Sequence, residues 1–474
     1  MDDASPRPAP TDSRRAIETW VLLALTTFVV AFLVRLRTEV DDDLWLHLRI
    51  GRELRDGRWF GTLPDPLVES ADRAYVPTQW LSQVLGSVVV EAAGVTGLRF
   101  LRVLALVVIA VAVHLAARTA ASHRTAAAVT LGVLPATAAA WAERPQLAGL
   151  VLASVAVLLW SRTLADGRPR LAVLPLTWLW SMVHGSWVLG VAFGAVTLVA
   201  LVVSMPVGRP PWRRLVLLLA VSALAPAATP VGPRLLLEPF AVGSSARETV
   251  NEWQQPTLDN PLFVLVVALA ALVVLRALRR RPVEVSAVVL AAAGFGLAAY
   301  SVRTVAFGAL LLAPALGRAF PADGAEHVAR RWGVWPALLA VSAVAVTPGV
   351  VWRADSSGPL GTDVDAALGA LPTGTVVAVD VGVSGWVLYD HPQVRPVRDL
   401  RAEIYSVDAA RAYESFSRAE EGWQGYATAH GVEAVLAATG SPLDTALDTQ
   451  TGWSRRAEDP DHVLWAVADV LPSG

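Results

Sequence analysis

Long apolar runs without a charged side chain dominate the first three-quarters of the chain, separated by short polar stretches. The first is Thr19–Val34, and others follow at 103–117, 125–142, 147–161, 215–233, 260–275, 285–302, 304–317 and 332–352. Between 171 and 208 the only titratable side chain is His184, and that stretch holds two spans if the chain reverses near His184-Gly185. A hydrocarbon core needs about 20 residues per helix. Backbone in lipid must satisfy its own hydrogen bonds, so the runs are predicted to be transmembrane helices. A weaker segment, 78–96, carries Gln79, Gln83 and Glu91. With it the pattern predicts about eleven or twelve spans.

Residues 1–16 are polar and read as a disordered cytoplasmic start. Thr19–Val34 is too long for a signal-peptide core and has no small-residue cleavage site, so it reads as a retained first span. The membrane part is expected over 17–353, with a first outer loop at 37–77. After it the pattern changes: Thr375–Val381 and Val432–Ala438 are short buried-strand patterns. Helices are predicted at 404–418 and 441–449, and a last hairpin over Gly452–Val467 around Asp459-Pro460-Asp461. The fold class is therefore mainly α: a polytopic helical membrane protein with a small α/β soluble domain at 354–474.

Loop charge sets the orientation. Arg14-Arg15 precedes the first span, and Arg162–Arg170, Arg209–Arg214 and Arg276–Arg281 are basic, so these lie in the cytoplasm by the positive-inside rule. Counting crossings from the basic loops puts 234–259, Arg303 and the tail outside. Counting from the N-terminus puts 37–77 outside too, but the two counts clash by one crossing between 78 and 141. Segment 78–96 is the suspect, as a partial crossing. The location expected is the plasma membrane, multi-pass, with the tail extracytoplasmic.

Composition sharpens this. Of the 474 residues 54% are hydrophobic and 17% charged, against about 25% charged in soluble proteins. The 39 basic residues are all Arg, which excludes Schiff-base and P-loop lysine chemistry; the absence of Cys excludes thiolate catalysis, disulfides and iron–sulfur ligation. From Asp355 onward there are 18 acids against 7 Arg, so an acidic tail follows a basic membrane body. No basic stripe with interleaved aromatics appears, so nucleic acid is not an expected partner.

The first loop carries the densest chemistry. Asp41, Asp42 and Asp43 are adjacent, followed by Trp45 and His47. On a helix, Asp43 and His47 share a face. They could act as an acid/base pair, and the three acids offer ligands to a divalent cation. A solvated acidic loop with Trp45, Trp59 and Trp80 at the membrane interface is the plain alternative. Elsewhere Glu143-Arg144-Pro145-Gln146, His184-Gly185, Glu252-Trp253 and Arg303 all fall at span ends on the outer side. Arg144 and Arg303 could hold a phosphate, or pair with Glu143 and Glu252 or with lipid headgroups. His184 could instead cap a kink. Trp178, Trp180 and Trp187 fit either a sugar platform or an interfacial belt. In the tail, Gly385-Trp386, Asp399, Arg401 and Tyr405 read as a docking surface against the outer loops; a catalytic site is the alternative, although no nucleophile–base pair or phosphate-cradling glycine loop is visible there.

These residues together resemble the bacterial GT-C-type membrane glycosyltransferases, which use polyprenyl-phosphate sugars. The resemblance is carried by Asp41-Asp42-Asp43-Leu44-Trp45-Leu46-His47, Gly51, Gly57, Pro64-Asp65-Pro66 and Gln79-Trp80-Leu81. Arg144-Pro145, His184-Gly185, Glu252-Trp253 and the tail's Gly385-Trp386, Asp399, Arg401 and Tyr405 extend it over nearly the whole chain. It implies a catalytic base at Asp41 or Asp43, with Asp42 as neighbour, and the helical spacing adds His47 as a candidate acid/base partner. It also implies substrate contacts from Asp42, Trp45, Arg144, His184, Glu252, Trp253 and Arg303. The implied partners are a polyprenyl-phosphate sugar, an acceptor of unknown identity and the lipid bilayer. No cofactor is required, although a divalent cation could sit at Asp41–Asp43. A non-catalytic scaffold or lipid-handling carrier on the same fold is the competing reading.

Overall fold

The computed structural model describes residues 42–59, 65–204, 210–241, 251–322 and 358–468. The first predicted span, the run at 332–352, Asp41 and Pro64 lie outside the described residues.

The described membrane part is helical. Its helices are α1 (Asp42–Arg55), α2 (Trp80–Ala117), α3 (His123–Val133), α4 (Pro145–Asp166), α5 (Val173–Val183), α6 (Trp187–Ser204), α7 (Trp212–Leu224), α8 (Pro261–Leu278), α9 (Val285–Tyr300) and α10 (Val305–Ala319). Local signals set their ends. Ser122 Oγ accepts the Thr125 N–H at the start of α3, and Asn260 Oδ1 accepts the Leu262 and Phe263 N–H groups ahead of α8, where Pro261 takes the first turn. Among the described residues, five helical runs are long and apolar enough to cross a membrane: Trp80–Ala117, Pro145–Asp166, Trp187–Ser204, Pro261–Leu278 and Val302–Ala319. Val173–Val183 and Val285–Tyr300 are shorter apolar helices. One continuous core of Leu, Ala, Val and Trp side chains runs from Leu106 to Ala319 through this bundle.

The segments 78–96 and 103–117, expected as two spans, form one 38-residue helical run, α2. It breaks at Gly94, whose φ of 63° suits glycine and few other residues. The arm before the break does not pack as a bundle member. It lies on α1, the amphipathic helix of the first loop, where a Cβ at Gly51 would stand 2.1 Å from the Gln83 carbonyl oxygen. The arm after the break enters the bundle core at Leu106 and Ile109. Gly51→Ala is therefore expected to force α1 off α2 and cost about 2 kcal/mol by overpacking. A lower thermal midpoint in detergent, with Gly296→Ala (helical, with open space around its Cβ) as control, checks this.

The C-terminal domain is a five-stranded sheet with helices on both faces. The order is β2 (Arg395–Pro396), β1 (Val376–Val379), β3 (Ala434–Ala438), β5 (His462–Val467), β4 (Trp453–Glu458). β1 runs parallel to β2 and β3, while β5 is antiparallel to β3 and β4. Side-chain alternation divides the strands between two cores. Val377, Val379, Leu436 and Leu464 face α11 (Thr362–Gly369), α12 (Ser384–Asp390) and α1 of the membrane part. Ala378, Val435, Val463 and Trp465 face α13 (Val407–Ser417), α14 (Trp423–Ala429) and α15 (Pro442–Asp448).

The domain is docked firmly onto the first loop. Trp45 of α1 meets Trp386 edge-to-face at 4.7 Å, and Arg52 lies 3.9 Å over the Tyr389 ring while Nη2 donates to its hydroxyl at 2.7 Å. Gly385 admits this contact, because a Cβ there would come within 2.6 Å of the Asp42 carbonyl oxygen. Behind it, Arg401 donates from both Nη atoms to Asp65, at 2.9 and 3.1 Å, and from Nε to Asp399 Oδ2 at 2.7 Å. The first loop and the C-terminal domain therefore share one side of the bundle.

Candidate functional site

Polar residues that the sequence spreads over 260 positions converge where α1, the N-terminus of α4, the α5–α6 turn and the start of α10 meet. Arg144 is the hub. It occupies the N-cap of α4 ahead of Pro145, and donates from Nη1 to Asp43 Oδ2 on the first turn of α1 and from Nη2 to Glu252 Oε1 at 3.2 Å. Glu252 reaches on to Arg303, with Nη1 3.7 Å from Oε2, and Trp253 places its ring 5.5 Å under the same guanidinium. The result is an alternating chain of charge, Asp43–Arg144–Glu252–Arg303, whose members all keep some access to solvent.

Each member is presented by a stiff local structure. Glu143, beside Arg144, is buried and receives Arg102 Nη1 at 2.6 Å, which anchors the turn before α4. Arg303 projects from a 3-10 turn closed by a reciprocal Ser301–Thr304 capping box. The Val302 N–H donates to Gln254 O at 2.9 Å, so the Glu252 and Arg303 turns are tied together.

His47 lies one turn along α1 from Asp43. Its Nδ1 receives Gln83 Nε2 at 3.1 Å, and the same amide donates to Tyr75 OH at 3.1 Å. Burial pushes its pKa down to about 4, against the pull of the Asp43 carboxylate and with that of Arg144 and Arg303. His184 sits in the turn between α5 and α6, capping α5, with Nδ1 on Ser186 Oγ at 2.7 Å.

The structure thus gathers Asp43, His47, Arg144, His184, Glu252, Trp253 and Arg303. Asp42 starts α1 at the edge of the group, with its carbonyl against Gly385. Trp45, expected on the substrate, is instead buried in the docking seam with Trp386 and Tyr389, because it points to the opposite face of α1. Asp41 lies outside the described residues. Gln83, Ser82 and Tyr75 were not foreseen as site residues: nothing in a lone Gln or Ser marks it before its neighbour is known. Glu403 was also not foreseen. It lies in a half-buried turn of the C-terminal domain within electrostatic reach of Arg303, and burial raises its carboxyl above the usual range.

A cation at the first-loop acids would have to displace Arg144 from Asp43. Elsewhere, Asp365, Asp390 and His391 each bring a ligand atom within 4.8 Å of one another. Two of these already serve the docking seam, since Asp365 Oδ1 accepts from Trp386 Nε1 at 2.8 Å and lies 2.9 Å from His391 Nε2.

No protein-family model matches the sequence, and no curated protein matches it. Solved structures do match the fold. The archaeal oligosaccharyltransferase AglB of Archaeoglobus fulgidus, in complex with an inhibitory peptide and a dolichol-phosphate, aligns over 88% of this chain and 69% of its own, at 13% identity and a TM-score of 0.55. ArnT of Cupriavidus metallidurans aligns over 97% of this chain and 100% of its own in the apo state, at 16% identity and a TM-score of 0.54. Its complex with undecaprenyl phosphate gives 16% and 0.52 over 97% and 99%.

Proposed function

From a chain whose fold is of the GT-C glycosyltransferase type, we propose an inverting membrane glycosyltransferase that moves a sugar from a polyprenyl-phosphate donor to an acceptor hydroxyl. The observation that carries this reading is the chain Asp43–Arg144–Glu252–Arg303. It sets two guanidinium groups and a helix N-terminus beside a carboxylate that can take a proton. The AglB and ArnT complexes with dolichol-phosphate and undecaprenyl phosphate support a lipid phosphate as the partner.

The donor phosphate competes with Asp43 and Glu252 for Arg144 and Arg303. Once the guanidinium groups hold it, the Asp43 carboxylate is released to face the acceptor. The acceptor oxygen attacks the anomeric carbon from the side away from the phosphate. The bond from that carbon to the phosphate oxygen breaks and its electron pair leaves with the phosphate, whose charge the two arginines offset. The acceptor proton passes to Asp43. Positioning and one base suffice, because the leaving group departs without protonation, and no metal is required.

The orientation is part of this reading. With the first arm of α2 withdrawn from the crossing count, the count from Arg14-Arg15 and the count from the later basic loops agree. Their agreement supports the reading that the first loop, the charge chain and the C-terminal domain lie outside a plasma membrane. Deleting the gene in its host and profiling envelope glycans and glycolipids is expected to remove one sugar linkage, restored by the wild-type gene. An unchanged profile would move a non-catalytic scaffold or lipid carrier ahead.

A further inference from the structure

The transfer step leaves two histidines of the cluster, His47 and His184, without a task. The first turns of α2 tie them together. Ser82 Oγ donates to the carbonyl of Val183, the residue before His184, at 2.7 Å, and Gln83 Nε2 donates to His47 Nδ1 at 3.1 Å. His184 also lies against α4 just past Arg144, since a Cβ at Gly149 would come within 3.1 Å of its ring. Both rings are therefore fixed beside the charge chain by separate contacts.

Their tautomers follow from those contacts. In His184 the Ser186 backbone N–H donates to Nδ1 at 3.1 Å, and a backbone amide cannot accept in return. In His47 the Gln83 amide nitrogen lies 3.1 Å from Nδ1, a contact that suits the Nε2–H tautomer. A ring nitrogen that accepts carries no hydrogen, so neutral His184 keeps its hydrogen on Nε2, and we assign His47 the same tautomer, which the Gln83 amide nitrogen matches. Neither Nε2 has a partner among the described residues.

We propose that His47 and His184 form a pair of uncharged Nε2–H donors that grip oxygen atoms of the lipid-linked phosphate, between the charges of Arg144 and Arg303. The proposal rests on the phosphate-binding reading of the same cluster and assigns the donors that flank the two arginines. Burial keeps both rings neutral. The His47 pKa falls to about 4, and that of His184 falls well below its ordinary value, with Arg303, His47 and Arg144 pressing in the same direction. Asp43 is the one opposing group, and it acts on His47 alone. An uncharged donor suits this place, because it binds the phosphate without adding a third positive charge to a site that must later release it. Gln83 and Ser186 act as positioning residues: each turns a ring so that its hydrogen faces the ligand.

Two measurements test this on the full-length protein in detergent. First, 15N-histidine spectra with His47→Gln and His184→Gln for assignment are expected to show neutral rings protonated at Nε2 from pH 6 to 8. An Nδ1–H ring or an imidazolium at pH 7 at either position overturns the proposal. Second, undecaprenyl phosphate is the probe, with undecaprenol and inorganic phosphate as controls. An Asn amide reaches only the Nδ1 position of a histidine, whereas a Gln amide reaches Nε2. His47→Asn and His184→Asn are each expected to weaken undecaprenyl phosphate binding about tenfold, with undecaprenol unaffected and the Gln variants close to wild type. Wild-type binding that the Asn variants retain in full overturns the donor pair and leaves the proposed function standing. Failure of the wild type to bind undecaprenyl phosphate overturns both.

Discussion

Asp43→Asn is expected to lower glycosyl transfer about 10³-fold while leaving the protein folded and its lipid-phosphate affinity within a few fold. The substitution preserves shape, and the Asn carbonyl can still accept one hydrogen from Arg144. Arg144 also keeps Glu252 at 3.2 Å, so the ion-pair chain shortens without collapsing. On the proposed reading the substitution removes the proton acceptor, together with one charge facing Arg144. A part-exposed carboxylate on the first turn of α1 adds little to stability, so a lost rate is not a lost fold. The measurement is restoration of the missing envelope linkage in the deletion strain, with membrane levels matched by immunoblot and initial rates taken from isolated membranes. Asp41→Asn belongs in the same series. If Asp41→Asn abolishes transfer and Asp43→Asn retains more than a tenth of it, the base is Asp41 and Asp43 is an arginine holder. If both are fully active, the catalytic reading of the first loop fails.

How much of this could be read from residues alone differs by element. The strands Val376–Val379 and Ala434–Ala438 and the hairpin 453–467 were legible, because short β-branched runs bounded by turn residues have few other uses. The two-residue strand Arg395–Pro396 and the helix Trp423–Ala429 were not, since each is too short to show a period. The polar residues Gln79, Gln83 and Glu91 set 78–96 apart from 103–117, but the position of the break at Gly94 was not legible, because an Ala-Ala-Gly-Val sequence suits a continuous helix. Within the site, residue types at span ends marked Arg144, His184, Glu252 and Arg303, because charge at such depth is costly unless it faces a partner. Who pairs with whom was beyond the sequence, as with Arg144, which bridges Asp43 and Glu252 from opposite directions along the chain. Trp45 shows the converse limit. Its neighbours Asp43 and His47 suggested the site, but α1 has two working faces, and a helical step of two residues turns a side chain to the other one.

The docking of the C-terminal domain onto the first loop predicts the other large effect. Arg401→Met is expected to destabilise the protein by about 3–5 kcal/mol and to release the C-terminal domain from the first loop. Arg401, Asp65 and Asp399 are 3%, 2% and 0% exposed, so removing the cation strands two carboxylates where water cannot reach them. Tyr405 would share the loss, because its hydroxyl accepts the Asp399 N–H at 2.9 Å in the same pocket. Arg401→Lys is expected to be nearly as harmful, since a single ammonium cannot make the paired contacts to Asp65 and the Nε contact to Asp399 together. The cause can be separated from mere loss of volume by adding Asp65→Asn to Arg401→Met. If stranded charge is the main cost, the double variant is more stable than the single one, although it has one more substitution. Thermal unfolding in detergent reads the stability, and protease sensitivity of the segment joining the bundle to the domain reads the docking. Equal stability of the single and double variants would place the cost in packing against Tyr75, over whose ring Arg401 lies at 5.2 Å. Undocking should also slow transfer, because Tyr75 shares the Gln83 amide with His47, so a shift of the clamp reaches the ring beside Asp43 through two hydrogen bonds.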